Sequence, residues 1–251
     1  MTAYDMKKLV ARGALAGLLA GVVAALVSLL IVERPMRAAL AIEDARPAAP
    51  GARGGDLFSR PTQVVGGMVA AVVVAVLIGI VFAVVYRWVA ERVHRQSAFA
   101  RSLHLAAVGF AAIVLLPMVK YPANPPGVGD PATVDQRTSM YVSLIAAGLV
   151  LALLAHWAYR ALAKRHWPGP MRGVVAAGGA IVLAGVAFVV WPANPDPIPP
   201  DVPAALLWQW RLASLFELAA LWAGLGVGFG LLVDPSARRW AAGQRAAVAP
   251  T

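Results

Sequence analysis

The sequence predicts an all-α fold: a polytopic membrane bundle of six transmembrane helices, with an internal repeat of helical hairpins. Three observations predict it. Of the 251 residues, 60% are hydrophobic and 14% charged, against about 25% charged in an ordinary soluble domain. The charges sit in short breaks between long apolar runs, the distribution that lipid imposes by excluding them. Two of those breaks open on nearly the same words, aromatic-Pro-Ala-Asn-Pro.

A helix needs roughly 20 apolar residues to cross a bilayer. Six runs meet or approach that length: 13–32, 64–86, 103–119, 140–159, 173–191 and 212–233. The first follows Lys7, Lys8 and Arg12, and Ala39-Leu40-Ala41 downstream resembles a cleavage site. The run is nevertheless longer than the roughly 7–15 residues of a signal-peptide core. Glu33, Arg34 and Arg37 also intervene, so it reads as a retained anchor. The third run is the shortest and holds Pro117 near its end; it reads as a full span rather than a re-entrant segment. The sixth is the only run with a charged side chain, Glu217, and residues 234–251 read as a cytoplasmic tail.

Orientation follows from Lys and Arg, which concentrate in cytoplasmic loops. Six spans put the N-terminus, the second and fourth loops and the C-terminus on one side. That side holds Lys7, Lys8, Arg12, Arg87, Arg92, Arg95, Arg101, Arg160, Lys164, Arg165, Arg172, Arg238, Arg239 and Arg245. Across the membrane, the third and fifth loops hold only Lys120, Arg137 and Arg211. The chain is therefore expected in a bacterial plasma (inner) membrane with both termini inside. Its net charge of +10 is dispersed along span ends, which favours membrane lipids and disfavours nucleic acid as the partner. Cysteine is absent, which excludes disulfides and thiolate metal sites. The outer loops 35–61, 121–137 and 192–211 are rich in proline, which denies a backbone donor, so they are expected to be non-helical.

The third loop opens Tyr121-Pro122-Ala123-Asn124-Pro125 and the fifth Trp191-Pro192-Ala193-Asn194-Pro195. Each leads to an arginine at the start of the next run, Arg137 or Arg211, with Gln136 or Gln209 close by. Arg60 with Gln63 marks a degenerate first copy. A repeat of outward hairpins suits a transporter, whose sites form at repeat interfaces. The plainer reading is an Asx-Pro turn that closes each hairpin.

Glu217 stands out because a carboxylate in lipid must face the bundle interior and find a partner. It reads as a cation-pathway group or as half of a structural ion pair, with Arg211, Arg137 or Lys120 as candidate partners. Glu33 closes the first run; Lys120 and Arg137 bracket the third loop, with Asp130 and Asp135 between them. His94, His104, His156 and His166 are dispersed, and Met36, Met68, Met118 and Met140 read more readily as packing than as ligands. No enzyme motif and no P-loop appears, so no catalytic residue is expected.

In order along the chain, Val32-Glu33-Arg34-Pro35, Ser59-Arg60-Pro61-Thr62-Gln63, Lys120 through Pro131, Gln136-Arg137 and the second Pro-Ala-Asn-Pro at 192–195 resemble the CbtA family of predicted cobalt transporter subunits. The resemblance covers about residues 6–234. It implies a membrane subunit for cobalt uptake that serves cobalamin synthesis, together with a small one-span, histidine-bearing partner like CbtB. Co(II) is then a substrate and no permanently bound cofactor is expected; a homo-oligomer is possible. On that reading Glu217 and Glu33 are intramembrane or rim carboxylates. Asn124, Asp130 and Asn194 form an outer vestibule that meets the metal, and Arg137, Arg211, Arg60 and Lys120 are structural or gating residues. The first outer loop departs from the family by lacking histidine; its candidate ligands are Glu43, Asp44 and Asp56. Two other readings remain: a non-transporting scaffold whose Pro-Ala-Asn-Pro loops dock a partner, and a lipid-modifying enzyme.

Overall fold

The computed structural model describes residues 5–46, 58–92 and 96–236; Asp56, His94 and the tail beyond Ser236 lie outside them. Every regular element among the described residues is helical. Helix α1 (Met6–Val27) runs through a π-helical turn (Ser28–Val32) into α2 (Glu33–Asp44), and α3 (Arg60–Ala90) follows. Helix α4 (Ala98–Phe110) passes through a second π turn (Ala111–Leu115) into α5 (Leu116–Lys120). A 3-10 turn (Pro131–Thr133) leads into α6 (Val134–Lys164), then α7 (Gly169–Val190) and α8 (Ala204–Val233). Joined through their turns, these make six helices long and apolar enough to cross a membrane, one for each apolar run.

Two of the expected loops are shorter than the prolines suggested. The first helix does not stop at Pro35 but continues to Asp44. Proline removes one helical hydrogen bond and its ring crowds the carbonyl four residues back. The π turn just upstream widens the helix where that carbonyl lies, so the chain carries on. Pro117 follows the second π turn in the same way. In the fifth loop the helix resumes at Ala204, directly after Pro203, rather than at Leu212.

The chain divides into two compact units. One is drawn from Met1–Arg34, Pro47–Ala107 and Phe216–Thr251; the other from Pro35–Arg46 and Val108–Leu215. The first unit is built on α1 against α3. Gly13, Gly17 and Gly21 recur every fourth residue and so share one face of α1. A Cβ on Gly13 would overlap the carbonyl oxygen of Gly79, and one on Gly17 that of Ala75. On Gly21 it would stand 2.9 Å from the Val72 Cα. Lipid tails are as apolar as leucine, so close backbone approach is what holds membrane helices together.

The rest of this unit closes around Tyr86 and Phe229, both fully buried, their rings edge to face at 5.0 Å. The Tyr86 hydroxyl donates to Ala98 O at 3.1 Å, and Ser102 donates to Gly226 O at 2.7 Å. Arg101 donates to Ala90 O, where α3 ends, putting a cation on the negative end of the helix dipole. Asp234 accepts from the Phe99 N–H and so caps the start of α4.

In the second unit α6 packs on α7 and on the second π turn. Gly148 makes that approach possible, because a Cβ there would overlap the Ala112 carbonyl oxygen. By contrast Gly173, Gly178, Gly179 and Gly185 of α7 have open space beside them among the described residues.

These environments give a paired prediction. Gly17→Leu should cost about 3 kcal/mol by overpacking, while Gly178→Leu should change stability by less than about 1 kcal/mol. Unfolding of the purified chain in mixed detergent micelles checks both.

Candidate functional site

Two polar clusters stand out, one in each unit. In the first unit Glu33 leaves the π turn with its side chain only 11% exposed. Arg60, at the first turn of α3, grips it with two bonds, Nη2 to Oε2 at 2.6 Å and Nε to Oε1 at 3.3 Å. Gln63 accepts from Arg60 Nη1 at 3.2 Å and donates to Phe58 O at 3.0 Å, which fixes the arginine from behind. Two-point arginine–carboxylate pairs are the strong form of the contact. The Glu33 backbone N–H bonds the Ser28 carbonyl across the π turn. Ser28 and Glu33 are thus one turn apart on the same helix. The Ser28 hydroxyl in turn lies close enough to Glu217 to act on its carboxyl. Ser28 thus stands beside Glu217 and one turn before Glu33. The expected cationic partners of Glu217 are engaged elsewhere, as follows.

In the second unit the third and fifth loops are bolted together around Asp196, whose side chain is 2% exposed. Arg137 Nε lies 3.0 Å from Asp196 Oδ2, an ion pair whose N–H is not aimed along a hydrogen bond. Asp196 also accepts from Thr133 Oγ1 at 2.7 Å and from the Asp130 N–H at 3.2 Å. Gly129 (φ +116°) allows this, since a Cβ there would lie 2.8 Å from Asp196 Oδ2 and strike Arg137 as well. Lys120 donates to Phe188 O at 2.7 Å, at the negative end of α7. Tyr121 donates to Pro192 O at 2.8 Å, and burial pushes its phenol above the ordinary range, so it stays a donor. Arg46 closes the cluster from α2's side: it bonds Gly127 O and grips Asp201 at 2.7 and 3.0 Å. That hydrogen bond holds the exposed Asp201 carboxyl below its usual range.

The expected network of Lys120 and Arg137 with Asp130 and Asp135 is therefore replaced. Arg137 goes to Asp196 and Lys120 to a backbone carbonyl. Asp130 caps the 3-10 turn, accepting from the Ala132 N–H at 2.8 Å. Asn194 accepts from the Asp196 N–H at 3.2 Å, an Asx turn within its own loop, whereas Asn124 accepts from Arg211 Nη2 at 3.2 Å. The two copies of the loop motif thus do different work.

Between the loops lies a half-open cavity of about 400 Å³, lined among others by Tyr121, Asn124, Arg137, Met140, Tyr141 and Asn194. Among the described residues no three of His, Asp and Glu come together to hold a metal ion. Glu33 and Glu217 on one hand and Asn124, Asp130 and Asn194 on the other belong to different units. Sequence reasoning missed Asp196, Ser28 and the Arg46–Asp201 pair. Asp196 had a signal, since it directly follows the second Pro-Ala-Asn-Pro.

The family model described as "Probable cobalt transporter subunit (CbtA)" matches residues 6–234. No curated protein and no solved structure matches the chain. With six helices able to cross a membrane and a family match spanning all of them, the chain is a multi-pass membrane protein that belongs to the CbtA family of probable cobalt transporter subunits.

Proposed function

We propose that this chain is the membrane-embedded subunit of a cobalt uptake system that supplies cobalamin synthesis, with Glu217 and Glu33 as the carboxyl oxygens on the ion's path. One observation supports the placement: Ser28 of the π turn lies beside Glu217, and Glu33 follows it by one turn of the same helix. Hard and borderline dications take oxygen ligands, and π turns recur at functional sites because they turn a side chain out of helical register. Arg60 holds Glu33 in reserve, since a passing dication competes with the guanidinium for the same two oxygens. Two carboxyls and a hydroxyl are a weak, incomplete donor set. That suits a cargo that must leave again, and it leaves ligand positions for water or for a small one-span subunit bearing histidines. The chain lies in the bacterial inner membrane with both termini and the basic loops in the cytoplasm, and the Pro-Ala-Asn-Pro loops face outward.

Two measurements test this reading. Under cobalt limitation, cells lacking the chain should lose most high-affinity uptake of radioactive cobalt. Glu217→Gln should reduce uptake at least tenfold at an unchanged level of membrane-inserted chain. Normal uptake in the deletion strain sinks the transport role, whereas normal uptake in Glu217→Gln removes only the assigned residue. The orientation is testable because the chain has no cysteine of its own. Asn194→Cys should react with a membrane-impermeant maleimide in intact spheroplasts, and Trp167→Cys only after permeabilisation; the reverse pattern inverts the topology.

A further inference from the structure

The cavity between the third and fifth loops has the wrong chemistry for a bare dication. No aspartate or glutamate lines it. The nearby carboxylate, Asp196, is spent on Arg137, Thr133 and a backbone N–H. Asn124 and Asn194 both line the cavity, and both have their side-chain oxygens occupied, by Arg211 and by the Asp196 N–H respectively. An amide whose oxygen is occupied presents its NH₂, so each asparagine is left as a donor. No group among the described residues accepts from either NH₂. Behind Asn124, Arg211 carries a charge with no carboxylate in ion-pair range among the described residues, and its Nε is buried without an acceptor. Tyr141 adds a phenol to the lining. Two amide donors and a phenol in the lining form a receptor for an anion, and Arg211, outside the lining, adds its charge through Asn124.

Size narrows the class. A water molecule occupies about 30 Å³, so an ion with six waters needs roughly 200 Å³, half of the cavity's 400 Å³. The volume lies instead within the range of small-molecule sites, about 300–1,000 Å³. The apolar part of the lining, Pro122, Val128, Val134, Met140 and Pro195, suits a carbon skeleton better than a hydration shell.

We infer that this cavity binds a small multidentate carboxylate, alone or already chelating the metal, so that cobalt is received there as an organic-acid complex and not as the hydrated ion. The carboxylate site stands on the cavity's own chemistry; only the cobalt-laden form rests on the transport reading. The Pro-Ala-Asn-Pro motifs gain a role by it: each proline-flanked turn fixes an asparagine with its oxygen turned away and its NH₂ toward the ligand.

The test uses the full chain purified in detergent and three probes measured by calorimetry: citrate, the one-to-one Co(II)–citrate complex, and Co(II) chloride in a non-chelating buffer. Citrate and its cobalt complex should both bind, and the hydrated ion should not compete with them. Asn124→Asp and Asn194→Asp keep size, the Arg211 contact and the turn, but exchange donors for a negative charge. Each should weaken citrate binding at least tenfold and the double variant should abolish it. Thermal melting verifies that the variants fold, and Thr138→Trp, at an exposed lining position, provides an independent block by filling the volume. Absence of citrate binding to the native chain, or citrate binding by the double Asp variant equal to native, overturns the inference. If deletion leaves cobalt uptake intact while citrate still binds, the transport reading falls and the carboxylate site stands. If uptake needs the chain but citrate does not bind, only the carboxylate site falls.

Discussion

Lipid offers a polypeptide no hydrogen-bond partner, and most of this structure follows from that one deprivation. Each backbone N–H and C=O at membrane depth must be satisfied by its own segment unless strands close into a barrel, and the described residues form helices alone. Prolines are then admissible at few places. Here they cluster in the loops, open helices at Pro61, Pro131 and Pro170, or follow a π turn, as Pro35 and Pro117 do. The π turns are not ornaments on the helices. They let a proline stand inside a long helix, and the first of them presents the Glu33 and Ser28 pair.

Where hydrophobicity cannot choose which helices touch, contact geometry must. The glycine face of α1 allows backbone to meet backbone against α3, and Gly148 does the same for α6 at Ala112. Polar contacts then fix the ends. Arg60 grips Glu33 in one unit; in the other Asp196 gathers Arg137, Thr133 and the Asp130 backbone. A nearly buried carboxylate is tolerated here because a guanidinium compensates its charge and each of its oxygens accepts a hydrogen bond.

How much of this the sequence discloses depends on whether the signal is compositional or three-dimensional. Six spans were legible because lipid acts on whole segments, and every apolar run lies in its own helix. Pro35 misled because a proline's local rule is overruled by an upstream change of helical register that no residue type announces. The Gly13, Gly17, Gly21 spacing was in plain view and is the small-residue pattern of membrane helix contacts. Glu217 could be singled out as a lone intramembrane acid, but not its nearness to Ser28, because that residue lies on a helix at the other end of the chain. Asn124 and Asn194 were recognisable as a repeated word. That one serves an arginine and the other its own loop is decided by contacts 87 and 2 residues away.

A π turn amounts to one residue too many in an α-helix. The widened turn takes that residue up locally, so deleting Leu30 would close the bulge and leave both flanks near their present bearing. Deleting Leu26 from the regular part of α1 would instead swing everything before it by about 100°. The glycine face would then point one way and Glu33 another. α3 could keep its seat on Gly13 and Gly17 or its Arg60 grip on Glu33, but not both. The bulge is therefore a slack link, the one place in this long helix where the count of residues is free of the phase between a seam and the acid beyond it.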